Sequence, residues 1–532
     1  MNQLIFDRST GNLGPNAFAR IQTTQLIQAI LPAPKVKFNG GEKPPTTVAS
    51  GTEARDYEPA KVWAHQTGVN ALSIDRFDGK ILLSGGADAS IKVWNLDQIP
   101  TGASEYTFRP TGIVPRSASA HQYGITHLSF YPFDSAAFLS SSYDHRLKLY
   151  STETLQLSAD FNLDSVVYSH AVSPIAQHLL VACATQHPAV RLVDLRSGAS
   201  THSLAGHHGA ILSVAWHPNV EHILASGCVD GTIRVWDVRK SSGAVGSLDL
   251  EDAIGITTTH GMAGGRSRAS AKAHTGAVNG LTWTDNGNYI VSAAHDERVR
   301  VWDAATGANT LASFGPTIKN GHLSSLPIVV SPTALTRPMK ELLFFPNEKE
   351  ILVFELHEGR LLKRLKVPGP PVAAVRSRTG ERNIRNRITA LAWREPVDGI
   401  YSAHSDGQIR AWIPRTEEDI QMDREEEEEG KIHDEDEGGK RKRNILDDVF
   451  RDLTRQKISF AAGLTSDIPA FAWDPKFASE QKSRLTEDMF LSLAGDSSCK
   501  NFPNSSRSSK GALQALVYDN FTLNSVSLHV MT

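Results

Sequence analysis

A histidine, a serine and an aspartate recur together in this chain, and these residue types form the catalytic triad of many hydrolases. In one copy, Ser226 and Asp230 follow His207 by 19 and 23 residues. A triad would use the serine hydroxyl as the nucleophile, the histidine as its base and the aspartate to orient the imidazole ring. A hydrolase needs one triad beside an oxyanion site, whereas here the same types return several times. We therefore predict that they are structural and that the chain is not an enzyme.

The recurrence has a fixed spacing that ends at an aromatic residue. Four copies run from a histidine to an aspartate 22 or 23 residues later, and six residues further to a tryptophan or tyrosine. Between these landmarks apolar and polar residues alternate over short runs with Asp-Gly turns, which is typical of β-hairpins. The four sets are His65, Asp88 and Trp94; His121, Asp144 and Tyr150; His207, Asp230 and Trp236; and His274, Asp296 and Trp302.

Three weaker units complete the series. One ends at Asp194 with Val193 in the tryptophan position, and another has Asp406 and Trp412 without the opening histidine. Segment 340–367 has the alternating pattern of a further unit. We predict seven four-stranded units closed into a ring, because closure leaves only short, protected sheet edges.

The histidine openings and Trp-Asp endings resemble the WD-repeat family over about residues 60–413. The resemblance implies an all-β fold, a seven-bladed WD-repeat β-propeller. It also implies that the histidine, aspartate, tryptophan and serine positions, Ser226 among them, form a buried hydrogen-bond network within each blade.

Composition excludes several other classes of protein. A formal net charge of -3 gives no overall basic field, and the loops show no basic-aromatic cluster, so we expect no direct nucleic-acid binding. Cys183, Cys228 and Cys499 lack the spacing of a disulfide framework or a zinc site. No apolar run reaches the length of a membrane span. We expect no metal, no cofactor and no membrane partner.

Arg239 follows a Trp-Asp pair at a spacing that the other Trp-Asp pairs lack. In a propeller blade it would lie at the rim of the narrow face, either solvated or paired with Asp237. Residues 224–239 also resemble the sixteen-residue box with which substrate receptors dock on the adaptor of cullin-4 ubiquitin ligases. The preceding unit offers Asp194 and Arg196 in the same positions, so the resemblance implies a rim of two arginines for docking.

Residues 1–35 are predicted to form a helix-loop-helix ahead of the propeller. Their apolar residues do not make one stripe, so we predict two short helices with a break near Thr23 and Thr24. Such helices would dock on the adaptor or pack on the propeller's own side, and we expect a propeller beginning near residue 60 to fold without them. The side chains predicted to contact the adaptor are Phe18, Ile21, Ile27 and Ile30.

Segments 140–156, 160–174 and 206–243 look like the Cockayne syndrome group A family, the substrate receptors of cullin-4 ligases in transcription-coupled nucleotide excision repair. This resemblance implies a nuclear protein that binds the adaptor, the large subunit of damaged-DNA-binding protein. A Cockayne syndrome group B type ATPase and RNA polymerase II are the other partners it implies. Residues 377–388 depart from the family where a Gly-His opening is expected. The alternative is a non-catalytic WD-repeat scaffold in a chromatin or RNA-processing complex.

Residues 414–532 are predicted to be a charged, largely disordered tail. Segment 423–444 sets an acidic run against a basic one, and such dense charge cannot bury a core. Residues 444–458 have the pattern of a short amphipathic helix. The basic cluster resembles a nuclear-import signal, with a solvated linker as the alternative; it consists of Lys440, Arg441, Lys442 and Arg443.

Overall fold

The structure is a computed structural model. It describes residues 2–41, 63–98, 106–175, 177–198, 200–240, 244–252, 272–367, 376–377, 380–381, 387–395 and 399–416, with residues 418, 419, 421, 422 and 425 after them. Within these ranges no helix has both the length and the apolar character needed to cross a bilayer. The predicted import cluster, the predicted helix 444–458 and most of the tail lie outside the described residues.

Seven antiparallel sheets follow one another along the chain, and each is one blade of a propeller. Blades 1 to 4 consist of Val69–Ile74, Ile81–Gly86, Ile91–Asn95 and Pro110–Val114; Ile125–Phe130, Ala137–Ser142, Arg146–Ser151 and Leu157–Asn162; Val167–Val172, Leu180–Thr185, Ala189–Asp194 and Ser200–Ala205; and Ile211–Trp216, Ile223–Cys228, Ile233–Asp237 and Ala244–Ser247. The predicted seven-bladed β-propeller is confirmed.

Blades 5 to 7 depart from the regular pattern. Among the described residues blade 5 has three strands, and Trp302 forms a single bridge with Asn309 in place of a fourth. Blade 7 takes its outer strand from the N-terminus. The strands are Val278–Trp283, Tyr289–Ala294 and Arg298–Asp303; Val329–Val330, Leu342–Pro346, Glu350–Glu355 and Leu361–Lys366; and Ile388–Arg394, Gly399–His404, Ile409–Pro414 and Ile30–Pro32.

The hydrophobic core is divided among the seams between blades. Each of the seven buried clusters draws its residues mainly from two neighbouring blades, including the seam between blades 7 and 1. The second strand of each blade is almost wholly buried, because a neighbouring blade covers each of its faces. Every blade therefore depends on both of its neighbours to bury its apolar side chains.

The outer strand of blade 7 closes the ring. Ile30 pairs with Pro414 and Pro32 with Trp412, and the Ala33 N–H donates to the Ala411 carbonyl at 2.9 Å. Residues 1–35 are consequently not a separate domain ahead of the propeller, and the boundary that the sequence suggested is wrong. The strand was missed because a three-residue run has no period of its own.

Two helices precede this strand, α1 (Asn2–Ser9) and α2 (Pro15–Gln28). The break predicted near Thr23 and Thr24 is wrong, because α2 is continuous there. The Thr24 hydroxyl donates to the Arg20 carbonyl at 2.6 Å, which satisfies it within the helix. The break lies before Pro15, where Gly11 adopts a φ of 77° that favours glycine.

The apolar face of α2 packs on the propeller and is not exposed for binding to a partner. Ile27 and Ile30 are each 1% exposed and join the core between blades 6 and 7. Phe18 and Ile21 are also buried, and the Arg8 guanidinium lies 4.6 Å above the Phe18 ring. Packing on the propeller's own side is thus the correct alternative, and these four side chains are not available to the adaptor.

Polar contacts fix the same segment. The Thr23 hydroxyl donates to the Leu335 carbonyl, and Lys363 Nζ donates to the carbonyls of Gln28 and Ile30 at 3.1 and 2.9 Å. The remaining described elements are the 3-10 helix Leu96–Gln98, the parallel pair Val36–Phe38 and Tyr106–Phe108, and the short hairpin of Arg376–Ser377 and Gly380–Glu381.

Deleting residues 1–35 should therefore destabilise the protein strongly. The deletion removes two fully buried isoleucines and an outer strand, and we expect a loss of roughly 5 kcal/mol or more, with aggregation or a much lower Tm. Differential scanning fluorimetry measures the change. Deletion of residues 2–13, which removes α1 and keeps α2 and the strand, is the control and should shift Tm little. Equal Tm values for the two deletions would contradict closure by residues 30–32.

Candidate protein-docking site

A continuous chain of hydrogen bonds crosses blade 4 and ends beside the tryptophan of the Trp-Asp pair. Ser226 Oγ lies 2.7 Å from His207 Nε2 and accepts from Trp236 Nε1 at 2.7 Å. On the other side of the ring, His207 Nδ1 lies 2.9 Å from Thr232 Oγ1, and the Thr232 hydroxyl donates to Asp230 at 2.6 Å. These bonds join the loop before the first strand to the second and third strands.

The same chain recurs in blades 1, 5 and 7. In each, a serine four residues before the aspartate accepts from the tryptophan indole at 2.7 to 2.9 Å and contacts a histidine. Blade 2 has Ser140 against His121, although the Tyr150 hydroxyl in the tryptophan position has no partner among the described residues. The sequence analysis identified Ser226 but missed the four equivalent serines of the other blades, which are Ser84, Ser140, Ser292 and Ser402. Their spacing from the aspartate was the available signal.

The distance between the histidine and the aspartate of the network differs from blade to blade. His121 Nδ1 contacts Asp144 at 2.7 Å and His274 Nδ1 contacts Asp296 at 3.0 Å, whereas His65 reaches Asp88 at 3.3 Å. Burial by itself would raise the pKa of Asp88, but the bonds from His65 and Ser90 outweigh it and lower that pKa to about 2. The carboxylates are therefore ionised acceptors that hold the blade turns.

Blade 7 lacks the opening histidine, and His404 takes its place. His404 Nε2 lies 2.8 Å from Ser402 Oγ, which accepts from Trp412 Nε1 at 2.7 Å, and Arg410 pairs with Asp406 at 2.8 Å. The position of His404, two residues before the aspartate, is Gly86 in blade 1, where a Cβ would lie 2.5 Å from His65 Nδ1. One site in the blade can thus be filled by an imidazole from either segment.

Neither a nucleophile nor a metal site results from these residues. Ser226 and His207 are buried, so a substrate cannot reach them. His207, Cys228 and Asp230 have ligand atoms within 4.8 Å of one another, which is a possible zinc set. However, Thr232 and Ser226 already occupy both ring nitrogens of His207, and burial raises the pKa of the Cys228 thiol to about 12. In blade 4 the imidazole of His207 is therefore committed to hydrogen bonds within the blade.

The third strand of blade 4, which the network holds, ends at Asp237, two residues before the arginine singled out in the sequence. Asp237 is buried, and its two carboxylate oxygens accept from Arg239 Nε at 3.0 Å and Nη2 at 2.9 Å. The bonds from the Arg239 side chain lower the pKa of Asp237 to about 2. The Arg239 side chain remains 62% exposed. Arg239 is therefore both paired with Asp237 and presented to solvent.

The second predicted rim arginine is held differently. Asp194 accepts from the backbone N–H of Arg196 at 3.0 Å and from the Ser197 hydroxyl at 3.0 Å. These bonds, chiefly that from the Arg196 N–H, lower the pKa of Asp194. The Arg196 side chain is exposed and forms no ion pair with another described residue. The two blades thus place arginines at equivalent positions, but only Arg239 is oriented by its aspartate.

Strand directions place α2 and Arg239 on one face of the propeller. The first and third strands of a blade run in the same direction, so the loops that follow them lie on the same face; we call it the docking face. Arg239 and Arg196 follow third strands. Ile30 pairs with the end of a third strand at Pro414, and Leu335, which contacts α2, follows a first strand.

Comparison with known proteins agrees with this architecture. Four segments match the WD domain, G-beta repeat: residues 57–95, 113–151, 198–237 and 265–303. The chain is a WD-repeat protein. The matches fall on blades 1, 2, 4 and 5, the four units with a complete set of landmarks.

Similar whole proteins fall into two groups. The WD repeat-containing protein ATCSA-1 of Arabidopsis thaliana is 27% identical, over 78% of this chain and 95% of its own. The ribosome biogenesis protein ytm1 of Aspergillus fumigatus is 29% identical, over 47% of this chain and 55% of its own. The protein of the same name from Aspergillus niger is 28% identical, over 45% and 53%. Similarity to ATCSA-1 therefore extends over far more of the chain than similarity to the ytm1 proteins.

Substituting Asp230 by alanine should destabilise the WD-repeat propeller. The change leaves the Thr232 hydroxyl and the backbone N–H groups of Thr232 and His208 without their acceptor, and we expect a loss of about 1 to 3 kcal/mol. Urea denaturation measures it. Asp78→Ala is the matched control, because Asp78 is 65% exposed and its surface ion pair contributes little. An unchanged free energy of unfolding in Asp230→Ala would show that the network is not structural.

The stability of the protein should fall between pH 6.5 and 5. Burial lowers the pKa of His207 and His127 to about 4, and that of His404 well below its ordinary value. Histidines of the unfolded chain titrate near 6.5, so below that pH the unfolded state binds protons that the folded state excludes. Stability is therefore complete above pH 6.5 and is lost as the pH falls toward 4. Calorimetry should show a decreasing Tm, and a Tm that is constant from pH 7 to 5 would contradict the assignment.

Proposed function

We propose that this WD-repeat protein is the substrate-recognition subunit of a cullin-4-type E3 ubiquitin ligase in transcription-coupled nucleotide excision repair. The observation that carries the proposal is the buried Asp237 that holds an exposed Arg239 at the end of blade 4. Residues 224–239 resemble the adaptor-docking box of such receptors. Similarity to a protein named ATCSA-1 over 95% of that protein's length supports the same role.

The Asp237–Arg239 pair suits an interface. The guanidinium has five N–H donors, and the two bonds to Asp237 leave the others directed to solvent. Because the aspartate already orients the side chain, little conformational entropy is lost when a partner carboxylate or carbonyl binds. Arg196 adds a second, less constrained donor group on the same face.

An arginine pair is too small for a stable interface of about 1,600 Å². Apolar area is offered by the outward side of the helices, where Ile5 and Phe6 of α1 are 53% and 62% exposed and Leu26 of α2 is 47% exposed. These residues replace the buried set predicted from the sequence. Because α2 leads into the strand that ends on the docking face, the proposal is that one adaptor contacts these apolar residues together with the arginine rim.

The remaining parts of the proposal follow from the resemblance. The opposite face of the propeller is left for recognition of partners such as a Cockayne syndrome group B type ATPase and RNA polymerase II. Action in the nucleus agrees with the basic run 440–443. The ytm1 relatives favour the alternative, a WD-repeat scaffold in RNA processing, but they match less than half of this chain.

Substitution of both rim arginines should weaken adaptor binding without unfolding the protein. For the double variant Arg239→Ala with Arg196→Ala we expect a loss of about 2 kcal/mol, roughly thirtyfold in Kd, against the purified large subunit of damaged-DNA-binding protein. Biolayer interferometry measures the Kd. Arg298→Ala is the matched control, because Arg298 is an exposed arginine at the start of a third strand, on the opposite face.

The helices are tested separately. Phe6→Asp combined with Ile5→Asp changes exposed residues, so the fold should persist while adaptor binding is lost. If the parent protein does not bind the adaptor, or if all variants bind it equally, the receptor role is wrong. Co-purification with pre-ribosomal proteins in place of the adaptor would favour the scaffold.

A further inference from the structure

The face opposite the docking face has a regular ring of backbone contacts around the mouth of the central channel. In six blades, the first residue after the second strand donates its N–H to the carbonyl of a residue just before the first strand, at 2.8 to 3.2 Å. The donor and acceptor pairs are Ala87 and Gly68, Tyr143 and Gly124, Gln186 and Val166, Val229 and Ala210, His295 and Ala277, and Ser405 and Arg387. Each of these six blades therefore places one donor residue and one acceptor residue at the mouth.

Arg387 stands out among the acceptors. The other five are glycine, alanine or valine, whereas blade 7 has an arginine there. Its only side-chain hydrogen bond to a described residue is a long one, from Nη1 to Ser324 Oγ at 3.4 Å. No described carboxylate lies within ion-pair distance of it, although its guanidinium is partly buried and burial lowers its pKa. A partly desolvated cation without an anion is unfavourable, which indicates a site for one.

Tyr143 faces the same space. It is the aromatic member of the donor set and is 42% exposed. Burial raises the pKa of Tyr143, and the nearby charge of Arg387 opposes that rise, so the phenol is a protonated donor beside the guanidinium. Blade 1 lies between them and contributes only Gly68 and Ala87. A Cβ on Gly68 would lie 3.0 Å from the Ser405 carbonyl oxygen, so this position must stay small.

Apart from Arg387 and Tyr143, the polar members of the described ring are Gln186, His295 and Ser405, and no member of the ring is acidic. His295 Nε2 donates to the His322 carbonyl at 2.8 Å, and His322 is exposed near Arg387. Burial and then the charge of Arg387 lower the pKa of His322, and the charge of Glu348 opposes that shift. Glu348 forms no ion pair with Arg387. The sequence from 376 to 387 contains five arginines and one glutamate. In the sequence just before the first strand of blade 7, positive charges therefore outnumber negative ones.

We propose that this channel mouth binds an acidic peptide, with a carboxylate or phosphate of the peptide paired to Arg387 and accepting a hydrogen bond from Tyr143. A guanidinium binds either group through two parallel N–H bonds, and a phenol supplies a third. The site lies on the face opposite Arg239. The proposal deepens the partner recognition that the proposed function assigns to this face, but it does not require adaptor docking, so failure of one test leaves the other open.

Fluorescence anisotropy with the full chain tests the site. The probes are fluorescein-labelled peptides of alternating glycine with glutamate, with phosphoserine or with lysine. We expect the glutamate or the phosphoserine peptide to bind, with the stronger of the two identifying carboxylate or phosphate as the ligand, and the lysine peptide not to bind. Arg387→Gln should weaken binding about tenfold or more, and Tyr143→Phe should weaken it by a smaller factor.

Arg116→Gln is the control, because Arg116 is exposed beyond the outer strand of blade 1 on the same face. Equal losses for Arg116→Gln and Arg387→Gln, or unchanged binding in Arg387→Gln, would overturn the proposal, as would equal binding of the lysine peptide. The Tm of each variant shows that it is folded, and Tyr143→Phe keeps the test decisive if Arg387→Gln unfolds. A rise in affinity when Glu425 to Glu429 become glutamine would support the site, by showing that the chain's own acidic run competes for it.

Discussion

Closure of the ring is the constraint on which the rest of this structure depends. Each blade buries its apolar side chains only against its neighbours, so the last blade must meet the first and must itself be complete. The strand Ile30–Pro32 completes it by pairing with Ile409–Pro414, and it joins residues nearly four hundred positions apart. Because α2 leads directly into this strand, the helix is fixed to the docking face by the same pairing.

The repeated hydrogen-bond chain distributes rigidity around the ring. Serine, histidine and tryptophan connect three segments of a blade, and buried networks of this kind contribute when every member has a partner. The blades tolerate variation within that requirement, as His404 shows by filling from the second strand the space that an opening histidine fills elsewhere. Blade 2 shows the limit, since the Tyr150 hydroxyl lies buried without a partner among the described residues.

The two faces of the propeller have different chemistry. On the docking face a buried aspartate orients Arg239, and exposed apolar residues of the helices lie on the same side. On the opposite face no described aspartate pairs with Arg387, and the small residues Gly68 and Ala87 of blade 1 lie between it and Tyr143. An arginine that is already paired suits contact with a preformed protein surface, whereas a partly buried arginine without an ion pair to any described residue suits an anion.

The sequence by itself determined the number of blades, the histidine, aspartate and tryptophan landmarks of the network and the position of Arg239, because each depends on residues repeated at a local spacing. Four units carry the full set of landmarks, and the alternating pattern between them was enough to identify the remaining three. What only the tertiary structure decided are the contacts between segments distant in the chain. Ile27 and Ile30 are equally apolar whether they contact a partner protein or pack in the seam between blades 6 and 7. The periodicity of the sequence does not distinguish these two arrangements. Strand Ile30–Pro32 and Arg387 likewise acquire their roles from neighbours that come next to them only when the ring closes.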